Sequence, residues 1–270
     1  MKAVKDLATA IVDRGLRLRP KSSDRTVPRI FYCHVPKCAG ASISRTIRKQ
    51  VFAGRKRSTF GIDLRASQEA ARLFSMEMME AREVVLAYHL SIARNRFGSG
   101  HVYCRPHLVD RFMNEWHFVT LLRNPVDRWI SEYVYNTYKD VDWAKNTLEF
   151  DAYLASETAQ STATSFLRYF SSIPSGHAGS VEAFVDEAVA NLERFSVIGV
   201  VENLDQWRDS FETRFGRDLS IPRVNTSPDL GAADEIRSND SLMKTIRELC
   251  EPDLRIYRRI LESASIQSSA

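Results

Sequence analysis

The chain has 270 residues, 44% hydrophobic and 27% charged, the composition of an ordinary globular protein and not of a fibre, a disulfide scaffold or a disordered chain. A net charge of +4 suits an anionic cosubstrate but is too small and dispersed to argue for nucleic acid. No apolar run approaches the roughly 20 residues that span a bilayer, so a soluble chain is expected.

Residues 1–28 come first in the expected organisation, as a basic helix and a linker. Val4, Leu7, Ala8, Ile11 and Val12 fall at helical spacing among Lys2, Lys5, Arg14, Arg17 and Arg19. The segment lacks the apolar core and cleavage site of a signal peptide, so a helix packed on the domain is expected, with peripheral membrane contact as the alternative. PKSSDRTVP at 20–28 reads as a linker, and residues 29–270 are expected to form a single domain.

Arg29 to Ile43, RIFYCHVPKCAGASI, runs from an apolar strand through a Pro-Lys loop into a helix start. Unpaired N–H groups at a helix N-terminus carry partial positive charge, so an anion placed there meets several donors, and Lys37 adds a full charge. Gly40 permits close backbone approach, while Ser42 and Ser44 supply hydroxyls. The segment is not a Walker A loop, because its Lys precedes the Gly.

Expected elements then follow in order. They are helices near 41–52 and 66–82, strands at 83–88 and 117–122, and a helix at 125–139. Several short helices lead to a strand at 196–201, then helices near 203–215, 234–249 and 252–263. Strands alternating with helices imply an α/β fold with a mostly parallel sheet flanked by helices. Ligands bind beyond the carboxyl ends of such strands, where Lys37, His89 and Arg123 would share one rim.

His117 to Tyr135, HFVTLLRNPVDRWISEYVY, repeats the pattern of strand, terminal Arg and Pro-started helix. Ser131 lies eight residues after Arg123, about two helical turns in, so both can face one anion. Together the two segments resemble the nucleotide-binding motifs of sulfotransferases that use 3′-phosphoadenosine 5′-phosphosulfate, particularly the carbohydrate branch with the heparan sulfate 2-O- and 6-O-sulfotransferases. Weaker likeness continues through FSVIGVVE at 195–202, RVNTS at 223–227 and DLRIY at 253–257.

The resemblance implies a P-loop-like nucleotide-binding fold and transfer of a sulfuryl group to a hydroxyl of a carbohydrate or glycoconjugate. It makes Pro36, Lys37, Cys38, Ala39, Gly40, Ala41 and Ser42 the 5′-phosphosulfate loop, and Arg123 with Ser131 the 3′-phosphate clamp. Cys38 and Ala41 stand where the family usually has Thr; backbone donors survive both changes, so weaker donor binding, not loss, is expected. The family needs no metal, and no nucleic-acid partner is implied. Without a membrane anchor, and with Cys33, Cys38, Cys104 and Cys250 in no C-x-x-C spacing, a reduced cytoplasmic setting is expected.

Lys37 is the expected catalytic cation at the bridging oxygen. His89, delivered by EVVLAY at 83–88, is the expected base, since the resembling family places a His at the end of its second strand in GHxPFG-like segments. A strand-end His bonded to backbone is the alternative. His34 reads as support for the loop, and His101 and His107 in GHVYCRPH as loop residues, with acceptor contact or a second base as the alternative. Arg128 is read as paired with an acid such as Asp127 or Glu132, with nucleotide contact as the alternative, and Trp129 with Tyr133 as core. Arg223, Asn225 and Thr226 are candidates to close over the nucleotide.

Two other classes stay open. A P-loop phosphotransferase is opposed by the absent Walker A sequence, and a non-catalytic nucleotide- or glycan-binding protein is favoured only by Cys38 and Ala41. If Arg123 and Ser131 hold a 3′-phosphate, Arg123→Ala and Ser131→Ala should weaken adenosine 3′,5′-bisphosphate far more than AMP, by roughly 1.5–3 kcal/mol for the Arg. Equal losses for the two nucleotides in calorimetry would refute the assignment.

Overall fold

The computed structural model describes residues 27–222 and 230–267. The expected N-terminal helix, and the candidates Arg223, Asn225 and Thr226, lie outside them.

Five strands form one sheet: β1 (Ile30–Cys33), β2 (Thr59–Gly61), β3 (Phe97–Gly100), β4 (His117–Leu122) and β5 (Val197–Val200), in the order β2-β3-β1-β4-β5. Every pairing is parallel. All carboxyl ends therefore open onto one rim, which receives the residues after each strand.

Helices α1 (Gly40–Gln50), α2 (Leu64–Phe74), α3 (Met78–Ser91), α4 (Pro106–Phe112) and α5 (Pro125–Tyr138) occupy the first half. After them come α6 (Phe150–Leu154), α7 (Glu157–Ala163), α8 (Ser165–Phe170), α9 (Glu182–Leu192) and α10 (Leu204–Phe215). The chain continues through α11 (Leu230–Arg237), α12 (Asp240–Leu249) and α13 (Glu251–Gln267). None is long and apolar enough to cross a membrane.

The central strand β1 is buried on both faces, as continuous apolar sequence in a parallel sheet requires. Phe31 and Cys33 face a core with Leu86, Leu108, Phe118 and Phe166; Ile30 and Tyr32 face Ile43, Ile47, Val119, Trp207 and Phe211. A third cluster around Trp129, Tyr133, Tyr153 and Ile246 seats α5 against α6, α7 and α12. Trp129 and Tyr133 stack at 5.9 Å inside it, as core residues.

One expected strand is absent. EVVLAY at 83–88 lies within α3, because the buried positions there are Ala81, Arg82, Glu83, Leu86 and Leu90, a helical spacing. Val84 and Tyr88, which make the segment look strand-like, point to solvent at 60% and 66% exposure. The strands at the corresponding place in the sheet, β2 and β3, read TFG and FGSG, too short and glycine-rich to signal strand. Glycine is required in β3: a Cβ at Gly98 would fall within the Phe60 ring. Gly98→Ala should cost about 1–3 kcal/mol through overpacking, read from the denaturant midpoint; an unchanged midpoint would show that Phe60 yields freely.

Candidate functional site

The β1–α1 turn is built around backbone that ordinary residues rarely adopt. Lys37 and Ala39 have φ of 63° and 55°, both left-handed. Between them Cys38 is fully buried, its Sγ donating to the Pro36 carbonyl at 3.6 Å, and burial pushes its thiol up to about 12. Ala39 caps α1 without any side-chain bond, and the first turn holds no acid. The leading amides of Gly40, Ala41 and Ser42 are thus free of side-chain competitors, the setting an anion requires.

Gly40 is fixed by its neighbour. The His34 ring lies over its Cα so closely that a Cβ would fall within the imidazole. The His34 ring is in turn 4.0 Å from that of His101, centroid to centroid.

On the other side of β1, Arg123 follows β4 and donates from Nη1 to the Lys37 carbonyl at 3.4 Å. The loop and the clamp arginine are thus brought together. Ser131, half-buried on α5, makes no side-chain hydrogen bond among the described residues. Asn124 caps α5 through the amides of Val126 and Asp127, while Glu202 at the end of β5 accepts from the Asn124 amide at 2.8 Å and from the Tyr257 hydroxyl at 3.0 Å. Lys37 Nζ rests 4.1 Å from the centre of the Tyr135 ring. Burial lowers its pKa, Glu132 opposes that, and Arg123 adds to it. Arg128 pairs with Glu132 at 2.7 Å, as one of its two expected partners.

His89 is not on this rim by the expected route. Its strand is the C-terminal end of α3, where the ring stacks on Phe60 at 4.5 Å and its Nδ1 is buried without a partner. The imidazole that does follow a rim strand is His101, immediately after Gly100 of β3. Its Nδ1 lies 2.7 Å from the His34 carbonyl, an atom that only accepts, so Nδ1 carries the hydrogen and Nε2 keeps a lone pair. Burial lowers the pKa of both His101 and His34. Arg82 of α3, buried, donates to the His101 carbonyl at 3.0 Å. His107 instead approaches Glu83 at 3.5 Å. The sequence signal for His101 was the Gly-His pair itself, hidden because FGSG did not read as a strand.

An acid-free helix start, an adjoining lysine and an arginine from the neighbouring strand stand together at the rim of a parallel α/β sheet. The sequence matches the sulfotransferase family over residues 24–263, and the chain belongs to that family. It is an enzyme of sulfuryl transfer. The structure is similar to the crystal structure of a sulfotransferase from Alicyclobacillus acidocaldarius, with 15% identity and a TM-score of 0.41 over 86% of this chain and 98% of that one. No curated protein matches the chain.

Gly40→Ala should displace the loop and lower adenosine 3′,5′-bisphosphate affinity at least tenfold, with circular dichroism unchanged. Gly40→Ala with His34→Ala should recover much of the loss, since the clash needs both groups. No recovery in the double variant would place the defect elsewhere.

Proposed function

We propose that the chain transfers the sulfuryl group of 3′-phosphoadenosine 5′-phosphosulfate to a hydroxyl of a carbohydrate or glycoconjugate. The observation that carries the donor assignment is the left-handed Lys37 turn feeding an uncapped, acid-free α1 and bonded to Arg123. The residues fit the cosubstrate: amides of Gly40 to Ser42 and the Lys37 ammonium for the phosphosulfate, Arg123 and Ser131 for the 3′-phosphate. The acceptor class is supported by the likeness of PKCAGAS and RNPVDRWIS to the carbohydrate branch. The activity is assigned to one domain from residue 29 onward. A cytoplasmic setting is proposed with it, in keeping with four free, buried cysteines.

The acceptor oxygen attacks sulfur in line, the bond from sulfur to the bridging oxygen breaks, and adenosine 3′,5′-bisphosphate leaves with the electron pair. Lys37 meets the charge that grows on that bridging oxygen. The acceptor proton goes to His101 Nε2, whose tautomer is set by the His34 carbonyl. His89, stacked on Phe60, takes no part in this assignment.

Turnover of labelled donor against an acceptor panel tests the reading, with a chelator expected to change nothing. Lys37→Ala should depress the rate more than donor affinity. His101→Ala should lose on the order of 10²–10⁴ in rate with donor binding kept, while His89→Ala stays near wild type. Because burial lowers the His101 pKa, the imidazole is neutral at pH 7, and the rate should fall only on acidification below its ordinary 6.5. A folded His101→Ala protein with normal turnover, or an acid limb above pH 6.5, would remove the base assignment.

A further inference from the structure

Beneath the donor loop lies a line of charge that the reaction as written does not use. Arg128 of α5 is completely buried. Its Nη1 donates to Glu132 at 2.7 Å and its Nη2 to the Thr162 carbonyl at the end of α7. Its charge also faces Asp253 of α13, a carboxyl group that burial raises to about 7 and that accepts the Phe166 and Leu167 amides at 2.7 and 2.9 Å. Glu132 keeps 18% side-chain exposure on the loop side of α5. One turn further along, Tyr135 carries the Lys37 ammonium over its ring.

We propose that Glu132, gripped by Arg128, is a positioning residue for Lys37, its carboxylate supplying the counter-charge that keeps the ammonium over α5 beside the donor loop. The inference rests on Lys37 being the donor-side cation.

A carboxylate next to a polyanion site is a liability, since it repels the donor. A solvent-exposed Glu would relieve that by swinging away, but this one is held by a guanidinium that cannot move, because Arg128 is sealed and tied to Thr162. What the carboxylate supplies in return is protonation of Lys37. Burial and the neighbouring Arg123 both push the ammonium toward neutrality, and Glu132 opposes them. The other groups around the pair do not replace it. Lys139, the C-cap of α5, also faces Glu132 and offers no negative charge, the Cys38 thiol is raised to about 12, and the first turn of α1 has no acid. Tyr153 and Tyr169, which face Glu132 from α6 and α8, are raised by burial and stay neutral.

The test is calorimetric binding of adenosine 3′,5′-bisphosphate from pH 7 to pH 10.5, with the pH profile of kcat alongside. Glu132→Gln should bind about threefold more tightly at pH 7, where Lys37 is still charged and one repulsion has gone. Its affinity and its kcat should then fall on the alkaline side roughly half to one pH unit earlier than in wild type. Glu132→Asp should restore the wild-type limb. A purely structural Glu132 would lower thermal stability and leave the alkaline limb in place, and that result, or failure of Asp to restore the limb, overturns the inference. If Glu132→Gln does not fold, Arg128→Met with Glu132→Gln, which removes both charges of the buried pair, carries the same expectation. Absence of bisphosphate binding by the wild type overturns the donor reading itself, whereas binding with an unmoved limb overturns only the role of Glu132.

Discussion

The seat of the His34 ring on Gly40 is the contact from which the site's geometry follows. It joins the first residue beyond β1 to the first residue of α1, so the turn between them has little freedom. That closeness forces the chain through two left-handed residues, Lys37 and Ala39, at a cost of roughly 1–3 kcal/mol each. The same ring meets His101, and the carbonyl of His34 fixes the His101 tautomer. One imidazole thus sets the distance between the anion-binding amides and the candidate proton acceptor. The β1–α1 loop and His101 become a single unit although they come from different strands.

Strain in the turn has to be balanced from outside it, and the surroundings supply that balance. Arg123 bonds the Lys37 carbonyl, Asn124 caps α5, and Glu202 holds the Asn124 amide while accepting from Tyr257 on α13. Behind α5, Asp253 of the same C-terminal helix takes two amides of α8 and faces Arg128. Helix α13 therefore touches the donor side through two independent polar routes. Under the proposed donor assignment, amides held in place this way need not be reorganised when charge develops, which is where preorganised dipoles are worth most.

Much of this was legible in the residues. The β1–α1 and β4–α5 segments carry strand, turn and helix signals that agree with one another, and both elements lie where those signals put them. The β2–β3 half of the sheet was not legible, for a physical reason. Gly98 is there because Phe60 packs where a side chain would be, so tertiary packing selected against the very residues that announce a strand. The apolar run EVVLAY drew the assignment instead, although Val84 and Tyr88 face solvent. The error set His89 at a strand end, whereas it lies near the C-terminus of α3 and the imidazole that follows a rim strand is His101. Arg128 shows the opposite case: an ion pair with Asp127 or Glu132 was the favoured reading and Glu132 is the partner found, while its complete burial required the packing of α7 and α8.

The two positions that depart from the resembling family do not carry equal weight. Cys38 is sealed from solvent and its thiol turns to the Pro36 carbonyl, so this side chain fills space beneath the loop and meets no ligand arriving from the rim. Exchange of a hydroxyl for a thiol at such a site changes packing polarity and leaves the anion's donors untouched. Ala41 is exposed in the first turn of α1, beside the free amides, and a hydroxyl there could have reached an anion. Under the proposed donor assignment the missing contact is therefore at position 41, where the backbone amide remains to offset it, and main-chain dipoles together with Lys37 and Arg123 are left to hold the donor.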